Sequence, residues 1–523
     1  MLKKNRTRRF SDSLIGQTIR WSWSWSGPRY MPRSYFADDT FRFLNKTEVI
    51  SKASDWNNKK YEKLWLYNLH YFDDLFSDGS DDRFDVQLKL IERWIEENPP
   101  GKGIGWDPYP TSLRIVNWIK WMSFHGIKPE KMTESLTVQA AHLYERLEFH
   151  ILGNHLLANI KALIFVAHCF ETEYQSKFLK LGCSLLEREL KEQFKDDGGH
   201  FELSPMYHSI LLWDLLDLKL LISSNNREHG TNLVNLLDDV IERGLRWLNT
   251  MTHPDGDLTF FNDAAFFIAP HPTKLFKFAK DLGFFLENEN ISGLTTLKSS
   301  GFSAINNPSY KLFFDHGEIG ASYIPGHGHA DTLSVEISVA GRRLFVNSGV
   351  SEYGAGPERI RQRETAAHNT VTVDNKNSSQ VWGGFRVAKR AVGELEYSCQ
   401  EGEEILIQAR HDGYKKMFGG LIHKRKIIAA ENTITIVDFL TGKFVTGIVN
   451  FHLHPDVTVE VVNPKYLLLK CNDIFVVEYR SSDAIQIEAS TWHPEFGRVE
   501  NSSKLTSEFT SSSLTTDLKV LSK

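Results

Sequence analysis

A change of texture near residue 296 constrains this chain more than any single motif. Before it, apolar residues recur at helical spacing. Leu156, Leu157, Ile160, Leu163, Ile164 and Ala167 share one face, and Ile210, Leu211, Leu212, Leu215 and Leu218 repeat the pattern. Segments 86–95, 113–122, 138–149 and 233–248 do the same, which predicts a layer of paired helices, a bundle or a toroid. From Gly301 onward short alternating runs take over, at 311–314, 333–339, 370–373, 405–409, 426–439 (turning at Glu431-Asn432), 457–462 and 474–479. Period-two runs separated by Gly, Asn and Asp turns predict an antiparallel β-sandwich. A chain of 523 residues exceeds one ordinary core, so the expected division is an N-terminal arm over 1–60, a helical domain over 61–295 and a β domain over 296–523. Trp21, Trp23 and Trp25 are the expected anchors of the arm.

Chemistry concentrates in Gly326–Thr372. His327, His329 and Asp331 alternate at what reads as a strand entry, and Leu333, Val335, Ile337 and Val339 continue the period, with Thr332, Ser334, Glu336 and Ser338 on the wet face. A turn at Ala340-Gly341 leads to a second strand. After the basic run Arg359, Arg361, Arg363, another strand begins at His368-Asn369, so His327, His329 and His368 can meet at one end of a sheet. In the helical half, Asn154 reads as the N-cap of the helix at Leu156, beside His155. Glu202, Ser204 and Pro205 read as a helix start with Tyr207 and His208 in its first turns. Segments 105–110 and 260–263 add polar-aromatic clusters at helix boundaries.

A net charge of −5 argues against nucleic acid as the main partner. The four cysteines show no CxxC spacing and predict free thiols. The first 27 residues carry positive charge but no apolar signal core, and no stretch could span a bilayer. Cytoplasmic residence is the expectation, with the periplasm as its alternative.

Taken in order, WLYNLHYF (65–72), GWDPYPTSLRIVNWIKW (105–121), GNHLLANIKAL (153–163), ELSPMYH (202–208), GHGHAD (326–331) and AAHNTVTVD (366–374) resemble the heparinase II/III family of polysaccharide lyases. The resemblance covers nearly the whole chain beyond the arm. It implies an incomplete α/α toroid followed by an antiparallel β-sandwich, and β-elimination on a uronic-acid-containing acidic polysaccharide or oligosaccharide. By resemblance Asn154 and His155 sit at the substrate carboxylate, Tyr207 acts as base or acid, and His327 complements it. Glu202, His208, Arg363 and Asn369 are expected at the substrate. A tyrosine acting as base needs nearby positive charge to lower its pKa, and His327, His155 or Arg363 are the expected sources. Some relatives hold a structural zinc; the matching positions here are His329, Asn347 and His368, and Asn347 is a poor zinc ligand, with Asp331 as a substitute. Two other readings share the fold: a uronosyl C5 epimerase, and a non-catalytic glycan-binding or assembly protein of envelope polysaccharide synthesis.

Overall fold

The computed structural model describes residues 23–169, 173–224, 230–286, 292–415, 419–472 and 474–521. Trp21 lies outside them. By internal packing the chain divides into two compact units. The first comprises residues 1–193, 210–241 and 274–284, and the second 194–209, 242–273 and 285–523.

The first unit is helical, as its periodicity requires. The helices that begin in this half of the chain are α1 (Lys63–Tyr71), α2 (Phe84–Glu97), α3 (Pro108–His125), α4 (Glu130–Tyr144), α5 (Gly153–Cys169), α6 (Glu173–Gln193), α7 (Pro205–Ser223), α8 (Thr231–Thr250) and α9 (Pro272–Asp281). Helix α5 packs against α3 and α6, and its described side chains are buried except at His155. The pattern expected over 138–149 ends early, because α4 stops at Tyr144. The arm is more ordered than its composition suggested: β1 (Tyr35–Phe36), β2 (Thr40–Phe43) and β3 (Lys46–Val49) form an antiparallel meander. Trp23 and Trp25 are buried anchors, with Ser123 Oγ accepting from the Trp25 N–H at 3.0 Å and donating to the Trp23 carbonyl.

Among the described residues the second unit carries four antiparallel sheets, one of them a two-stranded hairpin. Five strands, β4 (Gly293–Leu297), β5 (Phe302–Asn306), β6 (Tyr310–Asp315), β7 (Val335–Val339) and β8 (Arg342–Phe345), pair in sequence order. Further along, β9 (Val371–Val373) edges a four-stranded sheet, and an eight-stranded sheet includes the strands Glu404–His411, Ile422–Ala429 and Thr433–Thr441. One apolar core joins the three larger sheets, from Leu312, Ile337 and Phe345 to Ile407, Ile436 and Leu469. A smaller core, including Leu203, Trp247, Phe261 and Phe313, fastens segments 194–209 and 242–273 to the five-stranded sheet.

Three local expectations are corrected here. Residues 326–334 are loop and turn, and the strand starts only at Val335, after Leu333 with φ +68°. The face expected to be wet is buried, because Glu336 accepts from the backbone N–H groups of Phe260 and Asn347 and both Glu336 and Ser338 bond the His253 ring. Helix α5 begins at Gly153, in the left-handed region at φ +53°, so Asn154 lies inside the first turn rather than capping it. The four cysteines are free, as expected. Among the described residues no helix is long and apolar enough to cross a membrane.

Buried imidazoles set the acid limit of this fold. His70 donates to the Trp56 carbonyl at 3.0 Å and accepts from Trp94 Nε1 at 2.9 Å, and burial pushes its pKa down to about 3. Burial likewise takes His142 and His208 to about 4. Below the ordinary imidazole pKa the unfolded chain binds protons that these rings refuse. Stability is therefore whole above about pH 6.5 and falls by about 1.4 kcal/mol per pH unit for each such ring until its folded pKa is reached. Thermal midpoints measured at pH 7.5 and 5.5 should drop clearly at the lower value; equal midpoints would contradict these ring environments.

Candidate active site

The second unit builds a site around Asp263. Ser204 caps α7: its hydroxyl accepts from the Tyr207 N–H at 3.2 Å and donates to the Asp263 carbonyl, while Pro205 occupies the first helical position. Tyr207 is thus fixed in the helix's opening turn. Asn262 anchors the same segment, donating to the Leu203 carbonyl at 2.9 Å and accepting from the His329 N–H at 3.0 Å.

The Asp263 carboxylate is fully buried and faces three cationic or imidazole partners. One oxygen accepts from His327 Nδ1 at 2.7 Å and the other from His329 Nε2 at 2.8 Å; Arg359 bonds both oxygens. Burial alone would raise its pKa, but the Arg359 charge and the two histidine bonds hold it well below the usual carboxylate range. With Nδ1 committed as donor to Asp263, His327 places Nε2 3.6 Å from Glu202 Oε2. The Tyr207 and His327 rings lie 4.0 Å apart between centroids. Tyr353, from the loop after β8, brings its hydroxyl to 3.0 Å from the Tyr207 hydroxyl and is crossed by the Arg359 guanidinium at 4.9 Å.

Charge around Tyr207 runs opposite to expectation. Burial raises its pKa well above the ordinary phenol value, and the negative charge of Asp263 and Glu202 adds to the effect. Tyr207 is therefore protonated at neutral pH, because the nearby Arg359 charge does not offset its burial.

Several expected contacts are corrected. His208 is buried, with Nε2 donating to the Gly244 carbonyl at 2.9 Å and Nδ1 accepting from the His200 N–H. Arg363 is buried and points its donors at the carbonyls of Gly328, Gly383, Gly384 and Arg386. Asn369 donates to the Val335 carbonyl at 2.7 Å and accepts from the His452 N–H at 2.6 Å. Backbone satisfies all three, so they shape the site without facing a ligand. Asn154 and His155 belong to the first unit, where His155 Nδ1 bonds Glu148 at 3.0 Å and its ring packs 4.4 Å from Tyr109.

The expected metal set is also rearranged. Asn347 Oδ1 accepts from Ser334 Oγ at 2.8 Å and from His368 Nδ1 at 3.2 Å, which removes it as a ligand. Donor atoms of His329, Asp331 and His368 all lie within 4.8 Å of one another. Among the described residues His329 Nδ1 and His368 Nε2, both buried, have no hydrogen-bond partner, and burial keeps both rings neutral. Two neutral imidazoles and a carboxylate are a donor set that suits zinc.

A helical α/α domain followed by an antiparallel β-sandwich domain places the chain in a recognised architectural class. Within that class it belongs to the heparinase II/III family: residues 52–292 match the family's Heparinase II/III N-terminus and residues 292–521 its Heparinase II/III-like, C-terminal domain. It is 24% identical over 455 residues to a heparin-sulfate lyase of Bacteroides stercoris, covering 76% of this chain and 64% of that protein. The heparin-sulfate lyase of Pedobacter heparinus is 25% identical over 351 residues, or 61% of this chain and 49% of that one. The chain thus spans less than two thirds of the length of these relatives. Among solved structures, a heparinase III superposes with a TM-score of 0.68 at 17% identity, covering 100% of this chain and 90% of that one. The heparan sulfate lyase HepC of Pedobacter heparinus gives 0.61 at 16% identity, covering 99% and 83%. At these identities the structural likeness is one of fold.

Proposed function

We propose that this chain is a polysaccharide lyase that cleaves an acidic, uronic-acid-containing glycan by β-elimination. The observation that carries this reading is the close, tilted Tyr207–His327 ring pair, with His327 Nδ1 tied to a buried carboxylate and Nε2 free of that bond. His327 Nε2 takes the C5 proton, and Asp263 stabilises the imidazolium that forms. The electron pair becomes the C4–C5 double bond and the C4–O bond breaks. The departing oxygen takes the Tyr207 proton, and Tyr353 donates to the phenolate left behind. For the uronate carboxylate the proposal keeps Asn154 and His155 on the family resemblance alone. The heparin-sulfate lyase relatives support an acidic polysaccharide as substrate.

Incubation with heparan sulfate, chondroitin sulfate and unsulfated uronate polymers should yield products absorbing in the ultraviolet through the new conjugated double bond. Cleavage with saturated ends would overturn the reading, and inversion at C5 without cleavage would point to epimerisation.

The proposal includes a structural zinc held by His329, Asp331 and His368, which would supply a cross-link between the 326–334 loop and the 365–370 segment. Elemental analysis of chelator-free protein should find about one zinc per chain, lost together with thermal stability in Asp331→Asn. Metal-free protein of equal thermal midpoint would contradict it.

A further inference from the structure

A hairpin beside the site carries a combination that the elimination chemistry leaves unused. Strands β10 (Val381–Trp382) and β11 (Arg386–Val387) pair antiparallel around the turn Gly383, Gly384, Phe385. The turn is held from below by two buried guanidinium groups. Arg363 Nη1 donates to the Gly383 and Gly384 carbonyls at 3.2 and 3.1 Å, and Arg359 Nε donates to the Gly384 carbonyl at 3.1 Å. A side chain at Gly384 would collide with the Gly354 carbonyl, one residue from Tyr353, so the turn lies directly on the loop that carries that hydroxyl. Phe385 continues the contact, its ring 5.1 Å from Tyr353 and 5.9 Å from His327.

This rigid turn nevertheless leaves large apolar groups in water: Trp382 is 51% exposed and Phe385 45%. Arg386 lies over the Trp382 ring at 5.2 Å, and among the described residues neither Arg386 nor Lys389 has a carboxylate partner. A hairpin built only for stability would bury its indole or pair its cations. An exposed indole face suits the C–H face of a pyranose, and a guanidinium beside it suits a sulfate or carboxylate oxygen pair.

We infer that Trp382 and Arg386 form a sugar-binding platform, taking a pyranose ring with an anionic substituent next to the residue handled by Tyr207 and His327. The inference rests on the lyase reading for the identity of the polymer, while the platform itself is read by binding. The test titrates Tyr207→Phe protein with heparan sulfate and with its desulfated form. Trp382→Ala in that background should weaken binding of both by about tenfold. Arg386→Gln should weaken binding by a similar factor and flatten its salt dependence, and Arg386→Lys should restore part of the affinity. A larger Arg386→Gln effect on the sulfated polymer assigns the anion as sulfate, and equal effects assign it as carboxylate. Affinities within twofold of the parent for both Trp382→Ala and Arg386→Gln, or no binding of either polymer at low salt, would overturn the platform. Binding that depends on both residues, without unsaturated products from the unmodified chain, would sink the lyase reading and leave the platform standing.

Discussion

Tyr207→Phe lowers the rate of cleavage by about 10²- to 10⁴-fold, the usual range for losing a positioned acid or base. The fold survives, because among the described residues the Tyr207 hydroxyl bonds only the Tyr353 hydroxyl, and the helix start is set by Ser204, Pro205 and Asp263. The ring that packs on His327 remains in Phe, so the defect falls on kcat with KM little changed. Circular dichroism and thermal melting check the fold, and initial rates check the chemistry. Retention of more than a tenth of the parent rate would remove the hydroxyl from the reaction.

Asp263→Asn is the more damaging change, because it strikes fold and chemistry together. The side chain keeps its size but loses the charge that faces the buried Arg359 guanidinium. Leaving one partner of a buried ion pair uncompensated costs about 3–5 kcal/mol. The amide group must also turn an N–H toward His327, His329 or Arg359, all of which present donors, so at least one bond is lost. His327 is then free to take the wrong tautomer, and activity should fall at least as far as in Tyr207→Phe. A variant that melts normally and cleaves normally would show that Asp263 neither supports nor orients the pair.

The sequence made the two-part architecture legible because each half repeats one period: helical spacing to α9, then alternation from β5 onward. It also made Tyr207 and His327 legible, since each sits in a short polar string that apolar patterning does not explain. What it hid is the partner of each. Asp263 is 64 residues from His327, Arg359 is 96 from Asp263, and Tyr353 is 146 from Tyr207, so no local spacing links them. A tyrosine inside a glycine-rich loop was the one signal for Tyr353. His208, Arg363 and Asn369 misled in the opposite direction. Residue type announced hydrogen-bonding capacity, but whether backbone carbonyls and amides already fill that capacity is settled only by the fold. The reversed charge around Tyr207 has the same origin: Glu202 and Asp263 outweigh cations that are already paired with carbonyls or carboxylate.

The division of labour between His327 as base and Tyr207 as acid is tested most directly by isotope exchange in D2O. In Tyr207→Phe protein the C5 proton should still leave and return, so uncleaved polymer gains deuterium at C5. In His327→Ala protein neither exchange nor cleavage should occur. Deuterium entering with His327→Ala and not with Tyr207→Phe would reverse the two roles and contradict the mechanism.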